Sequence, residues 1–115
     1  MKNIVLLELN EINFDAVSFY IERGEYLSGF TKLIEKGITN TESEPEYENL
    51  EPWVQWPSVH TGKTYDEHKV FRLGDFVNST DEQFFEKVEK AGFSVGAVSP
   101  MNASNKLENP AYFIP

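Results

Sequence analysis

Three oxygen-bearing side chains close the first apolar run of this sequence: Glu8, Asn10 and Glu11 follow Ile4-Val5-Leu6-Leu7. In an extended segment, alternation puts Glu8 and Asn10 on one side, with Glu11 beyond the end. Oxygen donors so placed suit a hard or borderline divalent cation. The same residues have a plainer use, because Asn10 and Glu11 can simply cap the element that follows. A second place for chemistry is Pro52. Proline costs nothing at the first position of a helix, and the unpaired N–H groups of a helix start receive anions such as phosphate or sulfate. Glu48 and Glu51 flank that start and repel an anion unless a metal neutralises them. The stretch 42–51, ESEPEYENLE, holds five glutamates. It reads either as a solvated acidic loop or as a carboxylate cluster facing a cation.

Other groups carry weaker signals. Ser58 and His60 are two residues apart and point to different sides of a helix. Asp66, Glu67 and His68 are neighbours, but a metal site needs more ligands than these. Trp53 and Trp56, three apart, are expected to pack against a sheet. Cysteine is absent from the 115 residues, which excludes disulfides, thiolate metal sites and cysteine nucleophiles. Nineteen acids against ten bases leave a net charge of −9, the wrong sign for nucleic-acid phosphates. No apolar run approaches the roughly 20 residues of a membrane span, and no secretory pattern opens the chain, so the cytoplasm is the expected location. The sequons at Asn78 and Asn102 then read as chance matches.

These groups need elements to hold them. Asn3–Leu9 reads as a strand buried on both faces, as in a parallel sheet. Asn13 is placed to N-cap a helix from Phe14 to about Arg23, with Gly24 as its stop. Ser28 opens a second helix with Phe30, Leu33 and Ile34 as its apolar stripe, ended by Gly37. Ile38–Thr41 reads as a short strand. A third helix runs from Pro52 to Thr61 and closes at Gly62, although Pro57 predicts a kink or a later start. Thr80 and Gln83 have the spacing of a capping box for a helix lined by Phe84, Phe85, Val88 and Ala91. Phe93–Val98 reads as another buried strand, and the tail from Met101 has no regular period. The alternation predicts an α/β fold with parallel strands and right-handed crossovers, in which ligands sit beyond the carboxyl ends of the strands.

Several short pieces, in order, resemble the N-terminal part of the alkaline phosphatase superfamily, especially its type I phosphodiesterase and sulfatase-like branches. They are IVLLELNE, FTKLIEKGI, LEPWVQWPSVHTGKTYDEHKV and KVEKAGFSVGAVS. Thr61-Gly62 matches that family's Thr-Gly, and His68 follows Gly62 at the family's spacing. The resemblance implies a Rossmann-like three-layer sheet flanked by helices, present here as an incomplete core. It also implies a divalent metal, zinc or manganese, and a phosphate- or sulfate-ester substrate. Asn10, with Glu8 and Glu11 beside it, falls where the family has a metal-binding aspartate. The family's nucleophile falls at Pro52, or at Glu51 or Trp53 with a one-residue shift, and none of the three is an ordinary phosphoryl or sulfuryl acceptor. Lys69 replaces the glycine that follows the family's histidine.

The family's remaining metal ligands lie far downstream of any position in this chain. The expectation is therefore a single α/β domain over 1–115, or the N-terminal segment of a larger one, that resembles a metal-dependent ester hydrolase and is inactive alone. The alternative is a non-catalytic binding or interaction module that self-associates through an uncovered apolar edge. A nucleotide-binding α/β domain fits less well, because no glycine-rich phosphate loop follows the first strand.

Overall fold

The computed structural model describes residues 3–115. It combines helices with a small parallel sheet and forms two compact units, Met1–Glu42 and Ser43–Pro115.

In the first unit, α1 (Phe14–Glu22) starts where the sequence predicts: the Asn13 side chain accepts from the Ala16 N–H at 3.0 Å. α2 (Ser28–Glu35) follows, with Leu27 rather than Ser28 as its N-cap. The two helices meet at an edge-to-face pair, Phe14 on Phe30, with ring centroids 6.4 Å apart. Val17 is the buried residue of these helices. The predicted strand Asn3–Leu9 is irregular here, and so is Ile38–Thr41. Ile4 and Val5 are 91% and 90% exposed. Hydrophobic patterning describes a strand only when neighbouring strands supply its hydrogen bonds, and among the described residues nothing pairs with this run.

The second unit opens on a single 3₁₀ turn, Tyr47–Asn49, and continues into α3 (Pro52–Thr61). Pro52 is the first residue, as the sequence predicts, and Glu51 is the N-cap. The helix continues through Pro57, so it does not start later as one alternative had it. A proline at this position leaves the carbonyl four residues back, that of Trp53, without its helical donor. Asn102 supplies a replacement: its Nδ2 donates to the Trp53 carbonyl at 2.6 Å. The helix ends on Gly62, left-handed at φ 72°, whose N–H donates to the Ser58 carbonyl at 2.8 Å.

α4 (Tyr65–His68) carries a capping box between Thr64 and Glu67. After a 3₁₀ turn at Asp75–Asn78, α5 (Phe84–Lys90) begins later than expected. Its capping box pairs Gln83 with Glu86, not Thr80 with Gln83. Gln83 takes the cap because it is buried and tied twice to Ser104: its Nε2 donates to the Ser104 carbonyl and its Oε1 accepts the Ser104 N–H.

β1 (Gly96–Val98) is the core of the predicted strand 93–98, trimmed to three residues. It pairs in parallel with β2 (Tyr112–Ile114), an element the aperiodic tail did not announce. Register sets Gly96 against Tyr112, whose ring lies 2.4 Å from where a Cβ on Gly96 would sit. Phe85, Val95 and Ala97 form the core, with Leu107 and Phe113 packed against them. This two-stranded sheet is the coarse form of the expected parallel α/β arrangement.

Candidate functional site

α3 positions the residues at the expected nucleophile place. Glu51 stands outside the helix in extended conformation, and its backbone carbonyl accepts from Val54 and Gln55 at 2.9 and 3.0 Å. Its side chain is exposed and makes no capping bond. Pro52 and Trp53 are half-buried. None of the three offers a hydroxyl or thiol.

The group with a reactive geometry lies one to two turns further on. Ser58 Oγ is 2.9 Å from His68 Nε2, a separation at which serine–histidine pairs transfer protons. The direction of this hydrogen bond follows from the other side of the ring. His68 Nδ1 accepts the Val70 N–H at 3.0 Å. A neutral imidazole that accepts at one nitrogen carries its proton on the other, so Nε2–H donates to Ser58. His68 is thus the donor to the serine, the reverse of a general base.

Burial keeps this ring neutral. Desolvation lowers the His68 pKa, and the Asp81 and Glu44 carboxylates, followed by the Lys63 cation and Glu67, make smaller opposing and reinforcing contributions. Those charges are themselves engaged. Lys63 pairs with Asp81, Glu44 Oε1 accepts the Tyr65 N–H at 2.6 Å, and Glu67 Oε2 accepts from the Thr64 N–H at 2.8 Å and its hydroxyl at 3.0 Å. The bonds from Thr64 hold Glu67 below the usual carboxylate range.

The Thr-Gly pair is a helix stop. Thr61 Oγ1 donates to the Pro57 carbonyl at 2.6 Å and accepts the Lys63 N–H at 3.2 Å. Lys69 takes the left-handed conformation that favours glycine, at φ 53°, and its N–H donates to the Tyr65 carbonyl at 2.8 Å. Ser58 and His60 do diverge as their spacing predicts. His60 enters the core, with Trp56 stacked on it at 5.8 Å and Phe85 at 5.2 Å. Trp56 stacks on that histidine.

Glu8, Asn10 and Glu11 lie in the first unit. Glu8 is half-buried, whereas Asn10 and Glu11 form an exposed turn with Glu11 at φ 58°. Among the described residues, no three His, Asp or Glu side chains converge closely enough to hold a metal ion. Two carboxylates and a neutral amide are only a partial donor set for zinc or manganese. The sequon at Asn102 is occupied by structure, because that side chain is buried and bonded to Trp53, Arg72 and Gly74.

The Ser58–His68 bond and the role of Asn102 join residues distant in sequence, and only Pro57 hinted at either, by implying a carbonyl in need of a donor. No protein-family model matches the chain, nor does any curated protein or solved structure. No helix among the described residues is long and apolar enough to cross a membrane.

Proposed function

We propose that the chain is the first portion of a phosphoric- or sulfuric-ester-hydrolase-like domain of the alkaline phosphatase type, built on a Rossmann-like parallel sheet, and that it does not turn over esters alone. One observation carries this reading. The segment LEPWVQWPSVHTGKTYDEH folds as a connected unit: a helix opening at Pro52, a left-handed stop at Gly62, and a buried His68 braced on that helix through Ser58. The order of those parts is the order of the resembling motif. Glu8, Asn10 and Glu11 enter the proposal as a partial donor set for zinc or manganese. The proposal keeps the cytoplasmic placement expected from the sequence.

Inactivity follows from the residues present. Glu51, Pro52 and Trp53 provide no ordinary acceptor, and the Ser58 hydroxyl faces a histidine nitrogen that already carries its proton. The purified chain, given Mn²⁺ or Zn²⁺, should hydrolyse p-nitrophenyl phosphate and bis-p-nitrophenyl phosphate no faster than buffer. Turnover above the blank that follows the metal overturns the claim of inactivity. The metal part is tested apart from turnover: Asn10→Ala should weaken Mn²⁺ or Zn²⁺ binding in calorimetry, and unchanged binding removes Asn10 from the donor set.

A second reading, a non-catalytic interaction module, is favoured by the exposed aliphatic run Ile4–Leu7. Contiguous apolar surface of this kind drives association. Light scattering should then show oligomers that disperse in Val5→Asp, and a clean monomer at high concentration counts against it.

A further inference from the structure

We propose that the run Ile4–Leu7 of one chain adds as a third strand to the outer edge of β1 in a second copy, so that two chains exchange these runs. The inference rests on the interaction-module reading and names its partner.

Hydrogen bonds fix which edge is open. The Val95 carbonyl accepts the Ala111 N–H at 2.8 Å, and the Ser99 N–H donates to the Ile114 carbonyl at 2.6 Å. Backbone groups alternate in direction along a strand. Val95, Ala97 and Ser99 therefore face β2, and the N–H and C=O groups of Gly96 and Val98 point the other way. Among the described residues no third strand pairs there, and both residues are exposed.

The surroundings of this edge select its occupant. One face of the sheet continues the core through Ala97, Phe113 and Phe85. The other face carries Val98, Tyr112 and Ile114, each more than half exposed. A strand laid against β1 has apolar neighbours on both faces, so it must be apolar at successive positions. Ile4-Val5-Leu6-Leu7 is such a run. Its side chains are exposed, and among the described residues no backbone hydrogen bond engages it. Run and edge belong to one chain yet form no ladder with each other. In a two-fold pair each copy supplies both, which closes two edges at once.

Light scattering should show the full chain forming a dimer that tightens with salt, because two chains of net charge −9 repel. Amide exchange at Gly96 and Val98 should slow about tenfold from dilute to concentrated chain. Val98→Pro removes an N–H that β2 does not use. Val5→Pro and Leu6→Pro occupy successive positions, so one of them removes an N–H aimed at β1. Val98→Pro and one of these two should weaken the dimer about tenfold, the loss of one hydrogen bond. If Val98→Pro does not fold, the two run variants, which lie in exposed irregular chain, carry the test. A monomer at every concentration overturns this inference together with the interaction reading. Oligomers that Val5→Asp disperses but neither Val5→Pro nor Leu6→Pro weakens overturn this inference alone. Slow exchange at Gly96 and Val98 that does not depend on concentration also overturns it, since their groups are then covered within one chain.

Discussion

Pro57 and Asn102, 45 positions apart in sequence, are joined through one carbonyl oxygen: the Trp53 oxygen that Pro57 cannot serve accepts the Asn102 amide at 2.6 Å. The same amide donates to the Arg72 carbonyl at 3.1 Å, and its oxygen accepts the Gly74 N–H at 2.8 Å. A helix interrupted by proline is thereby locked to two loops. Asn102 stands at φ 48°, so Asn102→Gly removes the amide without adding backbone strain. It should lower stability by about 2–4 kcal/mol in urea unfolding, since buried backbone groups lose their partners. In a Pro57→Ala background the new N–H serves the Trp53 carbonyl, and the cost should shrink by about 1 kcal/mol. Strictly additive costs would break the link.

Lys69 holds a left-handed conformation at φ 53° as the C-cap of α4. Such a conformation costs an L-residue roughly 1–2 kcal/mol, partly offset when glycine loses more freedom on folding. The exposed pair with Asp66 is screened and adds little. Lys69→Gly should raise stability by about 1 kcal/mol in chemical denaturation. A loss of stability would mean that the lysine side chain matters more than its backbone.

His68 makes stability depend on pH. Its folded pKa is lowered, chiefly by burial, so the unfolded chain takes up the proton first. The contribution is complete above the unfolded value of about 6.5 and is lost as pH falls below it. The thermal midpoint should drop between about pH 7.5 and 5.5, and His68→Gln should flatten that drop. An equal slope in the variant would assign it to other groups.

Ser58 should behave as an acceptor, not a nucleophile. A fluorophosphonate probe should label it no faster than the other serines, because His68 Nε2 donates to its oxygen. Ser58→Ala should cost about 1–2 kcal/mol of stability by leaving a buried ring N–H unpaired. Selective labelling of Ser58 would require the opposite tautomer.

Local signals in the sequence determined much of this protein. The Asn13 cap, the Pro52 start and the stops at Gly24 and Gly62 depend on residues a few positions apart, and the structure keeps them. The divergence of Ser58 from His60 is likewise set by helical spacing. Tertiary structure decided what depends on distant partners. Ile4–Leu7 has the composition of a buried strand, yet strands exist only by pairing, and no partner ladder forms among the described residues. The cap of α5 moved from Thr80 to Gln83 because Ser104 and Glu86 satisfy that buried amide. β2 arises in an aperiodic tail because β1 offers it a parallel edge. The proton on His68 is placed by the Val70 N–H and Ser58, a contact across α3 and α4 that spacing alone does not specify. Caps and turns are chosen by neighbours in the chain, whereas pairing, burial and tautomer are chosen by whatever the fold brings alongside.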